Sequence, residues 1–322
     1  MRPIWRQLVW WDSTPCAYKC HNRRAIRSFE RTGAWSGQGL RAGKPLHERA
    51  WGSQAIFEKP DIGGNPDDLR KADREAEPRA LVSLLFAPGR RPDAAAIEAL
   101  AAGGAFAVSH RPADTGAGTE PCWLELLTTG LTFDLSGLAP GAPTEPFAFA
   151  HRYGVDSNPD TATAEAITLA LGPHLAGAEG LLPVVRAAAG LATALAALPG
   201  ILAIGWRPAR ALSGPAHFTS SVATWLAGGA FPALGLTALH RSPDGAMTSE
   251  GLALLTGQEL WLEPAAGSQP ADDARLAVRL IDRLISIGTV RAGMTVEPIA
   301  GQKVRLESDP GARLVRARRV RG

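Results

Sequence analysis

A chain of 322 residues with 45% hydrophobic content has enough apolar side chains for a sizeable core, as one large domain or two ordinary ones. Its formal charge of +3 is unevenly spread: residues 1–78 hold 14 basic and 10 acidic side chains, and the remainder holds 20 and 21. The body is therefore mildly acidic, which argues against a broad nucleic-acid-binding face, and three cysteines are too few for a disulfide framework.

Residues 1–78 do not resemble the rest. They carry five of the nine tryptophans, and neither a 3.6-residue nor a 2-residue apolar period runs through them. The expectation is an irregular N-terminal extension, or an upstream stretch translated from a start assigned too early. A CxxxCH run at residues 16–21 lacks the second ligand pair of a zinc site and the CxxCH spacing of haem attachment, so it is assigned neither. Trp10, Trp11, Asp12 and Ser13 interrupt any signal-peptide-like run, and with so few cysteines the expected location is cytoplasmic.

Regular patterning begins at Arg79. Residues 80–87 (ALVSLLFA) predict a buried strand, followed by a PGRRPD turn. Asp93 then caps a helix over 94–102 that closes at Gly103-Gly104, and a second strand is predicted over 105–110. Arg90 and Arg91 beside that helix start would suit a phosphate, but without GxxxxGK[ST] or GxGxxG an ordinary connection is expected. Residues 122–135 predict a hairpin turning at Thr129-Gly130, residues 147–153 a further strand, and SNPD at 157–160 a turn. Helices are predicted over 161–171 and 182–198, ended by Pro173 and by Pro199-Gly200. The charge-free residues 187–206 match a membrane span in length, but their Ala and Gly content and internal Pro-Gly predict a buried helix running into a buried strand, 201–206 (ILAIGW).

Ser213 or Gly214 caps the next helix, with Pro215 in its first turn and Phe218, Val222, Trp225 and Leu226 as its apolar stripe. Residues 234–240 and 251–255 predict strands around the SPDG turn at 242–245, and 259–262 another. Asp272 and Asp273 open an amphipathic helix whose buried face is Ala277, Val278, Ile281, Leu284 and Ile285. Strands near 294–298 and 303–308 follow, leaving residues 313–322 as a solvated basic tail with Arg313, Arg316, Arg318, Arg319 and Arg321. Helices alternating with hairpins, instead of strict βαβ units, predict an α+β domain over 79–312 with a mixed, largely antiparallel sheet covered by helices.

No GxSxG, HExxH, paired CxxC, Walker lysine or kinase motif is present, so no catalytic residue, metal ligand or cofactor is assigned. The histidines of the body, His110, His151, His174, His217 and His240, stand far apart. The most site-like constellation is Trp206-Arg207 at a strand end facing His217 in the next helix's first turn, a junction where α/β folds place polar ligands. With His240, these are the candidate ligand-binding residues. The plainer reading of the junction puts Trp206 in the core and Arg207 at the strand's end in solvent.

Three features carry a resemblance: the strand ILAIGW, then FPALGLTALHRSPDGAMTSEGLALLTGQELWLEP, then ADDARLAVRLIDRLISIG. Over about residues 79–308 the chain resembles the domain of unknown function 4261 family. The resemblance implies a bacterial α+β protein with no catalytic residues to carry over. The expectation is a soluble cytoplasmic binding or interaction module whose partner is another protein, with neither nucleic acid nor membrane involved. The alternative is a small-molecule enzyme using some of Trp206, Arg207, His217 and His240. Convergence of three of His110, His151, His217, His240, Glu250 and Glu259 within ligand distance around one pocket would take the lead from the binding-module reading.

Overall fold

The computed structural model describes residues 80–112, 122–145, 147–155 and 163–320. The extension over 1–78, its run at 16–21 and the turn at 157–160 lie outside the described residues. In chain order the elements are β1 (Ala80–Phe86), α1 (Ala94–Ala101), β2 (Ala107–His110), β3 (Trp123–Thr128), β4 (Leu131–Ser136), β5 (His151–Tyr153), β6 (Glu165–Leu171), α2 (Leu182–Leu195), β7 (Ile201–Trp206), β8 (Ala211–Ser213), α3 (Pro215–Leu226), β9 (Ala238–Arg241), β10 (Met247–Glu250), α4 (Ala253–Thr256), β11 (Glu259–Leu262), α5 (Pro270–Ile287), β12 (Met294–Ile299), β13 (Gln302–Asp309) and β14 (Leu314–Arg319). They make an α+β fold with two mixed, mostly antiparallel sheets. The first runs β2-β3-β4-β6-β1-β7-β8-β5 and the second β12-β13-β14-β11-β10-β9. Strands β5 and β8 pair in parallel, as do β11 and β14.

Local sequence explains most of these elements. In β1 every residue after Ala80 is buried, as a strand covered on both faces requires, and it lies between β6 and β7. Thr129 and Gly130 both take positive φ, 49° and 80°, which makes the two-residue turn that joins β3 to β4. The Asp93 carboxylate accepts from the Ala96 amide at 2.8 Å and caps α1. The small residues Ala188, Ala189 and Ala192 of α2 are fully buried, and α3 packs beside α2, with Arg186 donating to the Leu226 carbonyl at 3.0 Å and lying over the Trp225 ring. On the opposite face of the first sheet, Leu85, Ala203 and Leu212 are covered by Phe149 and Val155. Gly205 is needed there: a Cβ would lie 2.1 Å from Phe149 Cζ. Helix α5 packs Leu276, Ala277, Leu280, Ile281 and Leu284 against the second sheet. Among the described residues, no helix is long and apolar enough to cross a membrane.

Four expectations are corrected. Residues 161–171 do not form a helix; their described part contains β6, whose two backbone edges pair with β4 and β1, so sheet pairing overrides the helix propensity of Glu, Ala and Leu. The strand that follows the turn at 242–245 and pairs with β9 is β10, not 251–255. The Glu259 carboxylate collects the amides of Gly251 (2.9 Å), Leu252 (3.2 Å) and Ala253 (3.0 Å), turning that backbone into the start of α4. Leu226 leaves the α3 stripe and is 36% exposed, while Phe218, Val222 and Trp225 are buried. The basic tail is the strand β14, inserted between β13 and β11. Its period of two puts Val315 and Ala317 in the core and Arg316 and Arg318 outside.

Arg91 is committed to the fold. Its Nε meets Glu165 Oε2 at 2.8 Å, and its terminal nitrogens donate to the carbonyls of Gly137 and of Gly141, the latter at 2.8 Å. The Arg91 guanidinium, followed by the Gly89 amide, holds the Glu165 carboxyl below the usual carboxylate range. A carboxyl depressed in the native state contributes stability above its unfolded-state pKa and loses it as pH falls through the native one. The stability difference between the parent and Glu165→Gln is therefore expected to be largest near neutrality and to shrink towards about pH 3. Urea midpoints across that range measure it, and a difference independent of pH would count against the pair.

Candidate functional site

The terminal strand of each sheet, β5 of the first and β9 of the second, meet along one seam. The Leu239 amide of β9 donates to Tyr153 Oη of β5 at 3.3 Å. Two residues along β5 from Tyr153, His151 Nε2 lies 2.7 Å from Glu250 Oε2 at the end of β10. In the β9–β10 hairpin His240 stands opposite Thr248, so Glu250, two residues further, is its diagonal neighbour on the same face. The rings of His151 and His240 stack with centroids 6.0 Å apart. One ligand atom each from His151, His240 and Glu250 lies within 4.8 Å of the others. His240 is exposed, while His151 and Glu250 are partly buried.

The backbone around this cluster is tightly held. Arg210 adopts a left-handed conformation at φ 48°, uncommon for a long side chain. Its carbonyl accepts the amides of Ala150 (2.8 Å) and His151 (3.1 Å), and its own amide donates to the Arg207 carbonyl (3.0 Å). Its Nη1 lies 3.7 Å from Glu250 Oε1. Gly251, at φ 90°, lets the end of β10 press on the 207–209 turn, where a Cβ would come 2.8 Å from Ala209 Cα. Gly214 does the same for β5: a Cβ would lie 1.9 Å from the Gly154 carbonyl oxygen. Burial pushes the Tyr153 phenol above its ordinary pKa; the Leu239 amide pulls it back and the Glu250 carboxylate adds to the rise. The phenol therefore stays protonated at neutral pH.

The four residues named from sequence separate. Trp206 is 1% exposed and belongs to the core. The Arg207 guanidinium lies 4.6 Å over the Phe147 ring. His217 Nε2 is 3.1 Å from the Leu234 carbonyl, and its ring stacks on Tyr153, so it supports the seam from behind. His240 alone joins the cluster. Two surface grooves, one lined by Glu98, Phe106 and His110 and the other by Arg279, Arg283 and Glu297, include none of the four. Comparison with protein-family models, curated proteins and solved structures finds no match.

The sequence places His151 and Glu250 among six residues whose convergence would mark a site, but not among the four candidate ligand residues. For Glu250 a signal existed: pairing outward from the SPDG turn sets His240 opposite Thr248 and brings Glu250 to the same face. For His151 none existed, because it lies 99 residues from Glu250 and reaches it only through the edge pairing of β5 with β8. Glu259, also weighed beforehand, is occupied with the three amides at α4 and with the Ser249 hydroxyl. Two imidazoles and one carboxylate form a borderline donor set, suited to zinc and to other divalent first-row transition metals. Three such ligands leave at least one coordination position for a further group.

Proposed function

We propose that this chain binds a divalent transition metal at the seam, through His151, His240 and Glu250. One observation carries the reading: the three ligand atoms lie within 4.8 Å of one another, from strands of two different sheets. A histidine–carboxylate pair such as His151–Glu250 is common as a plain hydrogen bond. The second imidazole is what a metal requires and a pair does not. The reading keeps the expected class, a soluble binding module of the bacterial cytoplasm resembling the domain of unknown function 4261 family. Its site moves from the Trp206-Arg207/His217 junction to the seam. An enzyme at this site is the second reading: three of the six residues converge within ligand distance and leave the metal's coordination open, but neither of the two surface grooves includes them.

Calorimetric titration of zinc into the tag-free chain tests it. One zinc per chain is expected, with affinity reduced on the order of 100-fold in His240→Ala and in Glu250→Gln, since even second-shell losses reach that size. Absence of binding, or binding that neither substitution weakens, would defeat the proposal.

A further inference from the structure

We propose that the open side of this metal site takes a small oxyanion, a phosphate or carboxylate group, held from the protein side by Arg210. The inference rests on the metal reading above. Arg210 Nη1 is 3.7 Å from Glu250 Oε1, close enough for charge attraction but too long for a hydrogen bond. Its side chain is 50% exposed. The guanidinium fork thus stands beside the ligands with donors available for an acceptor that approaches from solvent. Electrostatics favour an anion there. A divalent ion, the Glu250 carboxylate and the Arg210 guanidinium sum to two positive charges, with both histidines neutral as ligands. The position of Arg210 is also preset. Three hydrogen bonds at its own peptide groups fix its Cα beside His151, so little backbone freedom remains to be lost when the anion binds.

The test uses the full chain loaded with cobalt(II), whose visible absorption reports a change in its ligands. Inorganic phosphate and acetate are titrated separately, and the two arms distinguish phosphoryl from carboxylate ligands. Arg210→Asn removes the charge with a residue that tolerates the left-handed conformation, Arg210→Gln is a second neutral variant, and Arg210→Lys keeps the charge. Arg275→Gln, at an exposed ion pair with Asp272, controls for general loss of charge. The expected result is an anion-dependent spectral change whose half-saturating concentration rises about tenfold in the neutral variants. Arg210→Lys restores part of it and Arg275→Gln leaves it unmoved; the cobalt affinity of each variant is measured first, and the anion response is read at cobalt saturation. A response to either anion, or to both, supports the proposal and names the class. Cobalt binding without any anion response, or a neutral Arg210 variant that responds like the parent, overturns it while leaving the metal site standing. Failure of cobalt to bind would instead overturn the metal reading, and this inference with it.

Discussion

Replacement of Arg319 by Ala is expected to lower the stability of the fold by about 3–5 kcal/mol, because it strands a buried charge. Asp273, in the first turns of α5, is only 2% exposed. Its Oδ1 accepts from Arg319 Nη2, and its Oδ2 from Ser268 Oγ at 2.9 Å. Arg319 Nη1 also donates to the Glu263 carbonyl at 3.2 Å, so one guanidinium ties β14 to α5 and to the end of β11. Without it the carboxylate keeps the Ser268 hydroxyl and the helix N-terminus, but no counter-charge. The same argument predicts that the double substitution Asp273→Leu with Arg319→Met recovers much of the loss, since removing both charges removes the desolvation cost. Denaturant midpoints of the three proteins measure both effects. A loss below about 1 kcal/mol for Arg319→Ala would mean the pair behaves as an exposed one.

Trp206→Ala is expected to cost about 3–5 kcal/mol, the usual range for emptying a large aromatic site in a core. Trp206 ends β7, pairs with Val82 of β1 and Ala211 of β8, and is among the largest fully buried side chains. The prediction separates the two roles that the sequence offers for this residue, ligand contact and core packing. As a core residue its loss lowers the unfolding midpoint, while the milder Trp206→Phe leaves zinc affinity as it was. Weakened zinc binding in a stably folded Trp206→Phe would return Trp206 to the site.

The residues that were legible in advance share a short range. The Asp93 cap, the Thr129-Gly130 turn, the stripe of Phe218, Val222 and Trp225 and the charge-free ILAIGW strand are decided within one or two turns of chain, where period and capping operate. Residues 165–171 were not legible, because EAITLAL suits a helix locally and becomes a strand only where β1 and β4 offer hydrogen-bonding edges on both sides. The last strand was misread for a different reason. Five arginines dominate the composition of residues 313–322, while the alternation of Val315 and Ala317 with Arg316 and Arg318 carries the structural information.

By itself, the sequence determined the fold class and most of the strands and helices, since each of these follows from local pattern. The sequence supplies His240 and a register signal for Glu250, but only tertiary structure brings the three site residues together. His240 and Glu250 share a face through hairpin register, and His151 joins them only because two sheets end in edge strands, β5 and β9, that meet. No property local to any one of the three residues records that meeting; it depends on Gly214 and Gly251 allowing backbones to approach, and on Arg210 anchoring β5 beside them.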